Sequence, residues 1–275
     1  SFFGAVMWRA PCASAAATLA ESRRASPAAK PPAPPLLVGT AGWSIPSRYG
    51  QRFASPGSHL ERYARVLGCT EINSSFYRPH RRATYERWAA STPEGFRFSV
   101  KLPRLLTHDQ RLAPPFDALD RFADEASGLG EKLGAVLVQL PPNLPFDAEV
   151  AAVFFEDLTR RLPAPAVCEP RHASWFTPEA EALMQRRRIA RVGADPSRAP
   201  GGDRPGGWPG LAYWRLHGSP DIYRSAYGED ALRSLAAGLA RRTSPAWAIL
   251  DNTASGAALG DALRLFEMAS AADKD

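Results

Sequence analysis

Glu169, Arg171 and His172 lie within four positions of one another, where the apolar run at 164–168 gives way to Trp175 and a helix-like segment. A carboxylate, a guanidinium and an imidazole so close together can move protons, hold an anion, or both. Arg215 and His217 form a second such pair in "WRLHG", and Lys101 ends the run "RFSVK". Side chains alternate along a strand, so Glu169 should share a face with Arg171, Arg215 with His217, and Glu71 with Asn73 and Ser75. If Lys101, Arg171 and Arg215 turn toward one space, they need carboxylates or an anionic ligand there. Glu169 or His217 is then the candidate general base, its pKa set by those neighbours. The plainer readings are a structural Glu169–Arg171 ion pair and a His217 hydrogen-bonded to nearby backbone.

Familiar catalytic signatures are missing: no Gly-x-Ser-x-Gly, His-Glu-x-x-His, phosphate loop or dinucleotide fingerprint occurs. Glu71, Glu169, Asp195 and His217 have ligand types that suit manganese or zinc, but the three cations would repel a metal, so neither metal nor other cofactor is expected. Cys12, Cys69 and Cys168 make no C-x-x-C pair. Cys69 and Cys168 read as small buried thiols, in keeping with a reducing, cytoplasmic setting. No apolar run approaches the ~18 residues of a membrane span, so no membrane is expected. The net charge of +6 is half accounted for by residues 1–35, so the basic balance alone does not argue for nucleic acid.

These groups need a scaffold that brings distant segments together. Strand-like runs fall at 36–42, 69–75, 97–103, 134–141, 164–170, 189–195, 212–218 and 246–252. Most are apolar in succession, as strands covered on both faces are. Amphipathic segments alternate with them. In "DAEVAAVFFEDLTRR", Val150, Val153, Phe154 and Leu158 form one stripe, and in "TPEAEALMQRRR" Thr177 caps a helix with Pro178 at its first position. After 189–195 comes "PSRAPGGDRPGGWPG", too rich in Gly and Pro for a helix.

This pattern predicts an α/β fold: a parallel (β/α)8 TIM-type barrel whose sixth helix is replaced by a Gly/Pro-rich loop, with an open doubly wound sheet as the alternative. Residues 1–35, ending in "KPPAPP", read as a disordered extension and stiff linker, and 36–275 as the barrel domain. In such barrels the site lies at the carboxyl ends of the strands. Trp43, Asn73, Tyr77, Lys101, Gln139, Glu169, Asp195, Arg215, His217, Asp251 and Asn252 all fall at predicted strand ends.

The motifs "GTAGWS", "EINSSFYRPH", "STPEGFRFSVKLPRLLTH", "LGAVLVQLPPN", "EPRHASWF", "WRLHG" and "LDNTASGAA" resemble, in this order, the YecE-like family, domain of unknown function 72, over roughly residues 36–268. The resemblance implies a TIM-type barrel and supplies no activity. Its marked positions here include Trp43, Asn73, Tyr77, Lys101, His108, Gln139, Glu169, Arg171, Trp175, Arg215, His217 and Asn252. Where such proteins more often have two asparagines, this chain has Asp251 and Asn252.

Two functions stay open. One is an enzyme for a small anionic substrate, a phosphate or carboxylate. Glu169 and His217 would be catalytic, and Lys101, Arg171, Arg215, Asn73, Tyr77, Trp43, Trp175, His108 and Asn252 would bind. Arg215→Ala is then expected to abolish phosphate binding while leaving the fold intact. The other is a nucleic-acid-binding or -processing barrel that stacks bases on Trp43, Tyr77 and Trp175. A closed narrow pocket favours the first, and a basic patch reaching beyond the mouth favours the second. Oligomeric state has no signal in the sequence.

Overall fold

The structure, a computed structural model, describes residues 34–272. The predicted extension over 1–35 therefore lies outside the described residues, apart from Pro34 and Pro35. Ten strands form one sheet: β1 (Leu36–Ala41), β2 (Cys69–Ile72), β3 (Arg97–Lys101), β4 (Leu133–Gln139), β5 (Ala166–Glu169), β6 (Ile189–Arg191), β7 (Gly193–Asp195), β8 (Gly206–Gly207), β9 (Ala212–Leu216) and β10 (Ala246–Leu250). Parallel pairing runs β5–β4–β3–β2–β1–β10–β9. β6 pairs with β5, β7 pairs with β9, and only Val192 separates β6 from β7. The run 189–195 is thus one stave that bridges both open edges. The result is a TIM-type barrel.

Alternation along the staves decides what fills it. Cys69, Ala135, Leu137, Val167, Ala190, Val192, Tyr213, Trp247 and Ile249 pack as one buried cluster, and their neighbours in sequence join a second cluster under the helices. Tyr213 stacks on Trp247 with ring centroids 5.8 Å apart. Gly134 makes room for that indole: a Cβ there would lie 2.6 Å from the Trp247 ring.

The outer layer holds α1 (His59–Ala64), α2 (Arg82–Ala90), α3 (Asp117–Ala126), α4 (Ala148–Arg161), α5 (Pro178–Arg186), α6 (Glu229–Ala240) and α7 (Ala257–Ala272). Thr177 caps α5 through Ala180 N–H, as its sequence predicts. The predicted stripe of α4 is rotated. Val153 is 54% exposed, and the buried face is Ala151, Phe154, Phe155 and Leu158. Both sets have helical spacing, and the packing of Phe155 beside Trp175 selects the second.

No helix forms between 196 and 210. Instead β8 returns antiparallel to β6, and Ala194 N–H donates to Gly202 O at 2.8 Å. Gly193 permits this close approach, since a Cβ there would meet Pro205 N at 2.8 Å. The loop lies flat on the stave and carries Trp208 to the lower core. No described helix is long and apolar enough to cross a membrane.

Candidate functional site

The upper end of the barrel interior is polar because the staves that bury Cys69, Val167, Tyr213 and Trp247 continue, two residues at a time, into Glu71, Glu169, Arg215 and, at 251, Asp251. Arg215 is the hub and is wholly excluded from solvent. Its Nε and Nη2 donate to the two oxygens of Glu71 at 3.1 and 2.8 Å. Nη1 donates to Glu169 at 2.6 Å, and Nη2 also donates to Asp251 at 2.8 Å. Tyr213 and Ser99 complete the floor: the Tyr213 hydroxyl lies 2.9 Å from both Glu71 Oε2 and Ser99 Oγ.

His217 bridges the two upper carboxylates, with Nδ1 3.1 Å from Asp251 and Nε2 3.1 Å from Glu169. Burial pulls its pKa down, but Glu169 and the hydrogen bond to Asp251 outweigh this and raise it above 6.5. Glu169 is the most crowded acceptor. Gln139 Nε2 reaches both its oxygens at 3.1 and 3.0 Å, and Arg171 Nε donates at 3.1 Å alongside Arg215 and His217. Burial pushes its carboxyl up, yet Arg215, His217 and Arg171 hold it well below the usual range. A general base needs a free lone pair and a pKa near the working pH. Glu169 has neither, which argues against its candidate role as base.

Lys101 differs from every other cation here. Its Nζ donates to Gln139 Oε1 at 2.7 Å and sits 4.1 Å above the Phe76 ring. Among the described residues no carboxylate lies within 4 Å of it. Burial first, and then the Arg215 charge, lower its pKa to about 8, with Glu71, Glu169 and Asp251 only partly opposing. His108 packs edge-on to the same Phe76 ring at 5.0 Å. Its pKa is lowered by burial, Lys101 and Arg104, so it is neutral at pH 7.

The other candidates divide. Arg171 reaches the rim, with Nη2 3.1 Å from the Tyr223 hydroxyl. Asn73 follows Ile72, the last residue of β2, and residues 74–76 form a 3-10 turn. Asn73 leans in, Nδ2 3.5 Å from Asp251 Oδ1, with its own Oδ1 buried and unpartnered. Ser75 turns to the Lys101 carbonyl at 2.6 Å. Tyr77 is 80% exposed and Trp43 packs edge-on against Trp88. Trp175 is buried with Nε1 on Leu144 O, so its ring faces the core and not a ligand. Asn252 points outward, to Ser225 O and Asp261, so Asp251 is the inward residue of that pair. Asp195 also points outward and accepts from Tyr227. It therefore leaves the imagined metal set, and the Arg215 guanidinium occupies the space among the three carboxylates. Asp251, Gln139 and Tyr223 are the participants that sequence reasoning underweighted. Continuing the 247, 249 alternation by one step finds the first.

Between Glu169, Arg171, Phe176, Arg198, His217 and Tyr223 lies a pocket of about 20 Å³, room for about one water. Tyr223 roofs it, 38% exposed, with its ring 5.4 Å from His217 and φ of +68°.

The model of a family described as "Protein of unknown function DUF72" matches residues 37–275. The chain belongs to the DUF72 family. It is 30% identical over 150 residues to UPF0759 protein YunF of Bacillus subtilis, covering 52% of this chain and 53% of that protein. It is 30% identical over 106 residues to UPF0759 protein YecE of Escherichia coli K12, covering 38% of each. The matched stretches thus span about half or less of these relatives. A DUF72 protein of Thermotoga maritima MSB8 superposes with a TM-score of 0.70 at 24% identity, covering 86% of this chain and 99% of that one. One from Enterococcus faecalis V583 gives 0.70 at 19%, covering 86% and 95%. These likenesses concern the DUF72 fold, and the chemistry of the mouth is argued from its own residues.

Proposed function

We propose that the barrel mouth is the active site of an enzyme for a small anionic substrate, with Lys101 as the reacting amine and Arg171 as the anion's anchor. The observation that carries this reading is Lys101 itself, a buried cation with a lowered pKa and no carboxylate partner within ion-pairing distance among the described residues. Arg215 pairs with Glu71, Glu169 and Asp251 from below and His217 bridges the last two, so Lys101 is left without a carboxylate of its own and an anion arriving above can pair with it at lower cost than in a fully paired network. Phosphate or a carboxylate suits the guanidinium fork of Arg171. Substrate entry requires Tyr223 to lift. Calorimetric titration with inorganic phosphate tests the reading: Arg171→Ala should weaken binding at least tenfold, and no heat from the wild type at millimolar phosphate would refute it.

One observation favours the second reading, a nucleic-acid ligand. The loops leaving the carboxyl ends of the staves carry ten arginines against five aspartates, with no lysine or glutamate. The described residues as a whole carry 29 Lys and Arg against 25 Asp and Glu, so the entire basic excess lies on this face. Anisotropy with a single-stranded oligonucleotide would separate the two: nucleic-acid binding has affinity that falls steeply with salt.

A further inference from the structure

We infer that Lys101 forms an imine with a small carbonyl compound bearing an anionic group, such as a 2-oxo acid. This rests on the reading of the mouth as a small-anion site and names its substrate class. The chain uses arginine thirty times and lysine only at Lys30, Lys101, Lys132 and Lys274. Arginine is the better partner for buried carboxylates, whereas an amine can be nucleophilic. The buried cation on β3 is nevertheless a lysine, seated on an aromatic face with a neutral amide as its one hydrogen-bond acceptor among the described residues. Lys132 is the contrast: its Nζ is used up on Ala89 O, Thr92 O and Thr92 Oγ1.

In the step, the neutral amine of Lys101 attacks the carbonyl carbon, and the C=O electron pair moves to oxygen, which takes up the proton the amine loses. The carbinolamine hydroxyl then leaves as water with one further proton, and the C=N bond forms as an iminium. Ammonium plus carbonyl thus becomes iminium plus water, with charge conserved. His108 shares the Phe76 ring with Lys101, and its Nδ1 is held by Thr107 Oγ1 at 2.9 Å. As a neutral imidazole it can carry the proton between amine and hydroxyl. Arg171, two hydrogen-bonded residues away through the Gln139 amide and the Glu169 carboxylate, holds the substrate's anionic group. A pKa near 8 makes the free amine about 300-fold more abundant at pH 7 than at 10.5.

The test incubates the full chain with glyoxylate and cyanoborohydride at pH 7.5, then maps reduced adducts by peptide mass spectrometry. The inference expects modification of Lys101 at least tenfold faster than of Lys132, slowed at least fivefold in His108→Gln and by competing phosphate. Equal labelling of the lysines, or none at Lys101, overturns it, and wild-type mapping needs no variant to fold. Phosphate calorimetry on the same preparation separates the two failures. Heat without an adduct leaves the anion site and removes the imine, whereas an adduct without heat removes the anion site and leaves the imine.

Discussion

Arg215 and Glu71 face each other with both side chains wholly buried, joined by two parallel hydrogen bonds of 3.1 and 2.8 Å. Glu71 leaves β2 and Arg215 leaves β9, so the pair ties together staves separated in the sheet by β1 and β10. That position corrects the sequence-based expectation for Arg215→Ala. Rather than abolishing anion binding in an intact fold, the substitution strands three carboxylates in the core. We expect a loss of at least about 3–5 kcal/mol, read as a lower urea midpoint. A variant as stable as the wild type would show that the network is not structural.

His217 should titrate above 6.5, while His80 and His108 should titrate below it. NMR of the imidazole resonances checks this directly. A group with a raised folded pKa stabilises fully below its unfolded value and loses that contribution as pH rises through the folded one. The stability advantage of the wild type over His217→Asn should therefore be largest in mild acid, below about pH 6.5, and shrink toward alkaline pH. An advantage that grows with pH would contradict the bridge to Glu169 and Asp251.

Lys101 gives the opposite sign. Its folded pKa is depressed to about 8, so between there and 10.5 the unfolded chain binds the extra proton and stability rises with pH. Replacement by methionine should remove this rise. Urea denaturation of both proteins at pH 8 and pH 10 measures the difference, and identical slopes would mean that Lys101 is unperturbed.

Tyr223 adopts a left-handed backbone while roofing Arg171 and His217. Tyr223→Gly relieves that conformation and Tyr223→Ala does not, so the glycine variant should be more stable by about 0.5–1 kcal/mol. Both should bind phosphate faster in stopped-flow, and unchanged rates would show that Tyr223 is no obstacle to entry.

The staves are legible because apolar runs of fixed spacing admit few folds, and parity puts Arg215 and His217 on one face of their strand. Parity failed where strands ended early. Ser75 leaves the β2 face after Ile72, because residues 74–76 wind into a 3-10 turn that no periodicity announces. Trp175 was equally hard to place: an aromatic at a rim can stack on a ligand or close the core, and contacts with Phe146 and Phe155 decide for the core. The sequence marks Lys101 as a cation, but the lack of a carboxylate beside it among the described residues is a property of three-dimensional neighbours.

The central claim is that Lys101 is a poised amine in a site for anions, and with only four lysines in the chain its titration can be followed by itself. Protein labelled with 13C-lysine, with Lys101→Arg to assign the resonance, gives the Cε shift against pH. The account predicts one lysine titrating near 8 in the free protein, with its midpoint raised when phosphate is added. If the Lys101 signal titrates near 10.5 and ignores phosphate, the mouth is a structural ion network and the proposed chemistry fails.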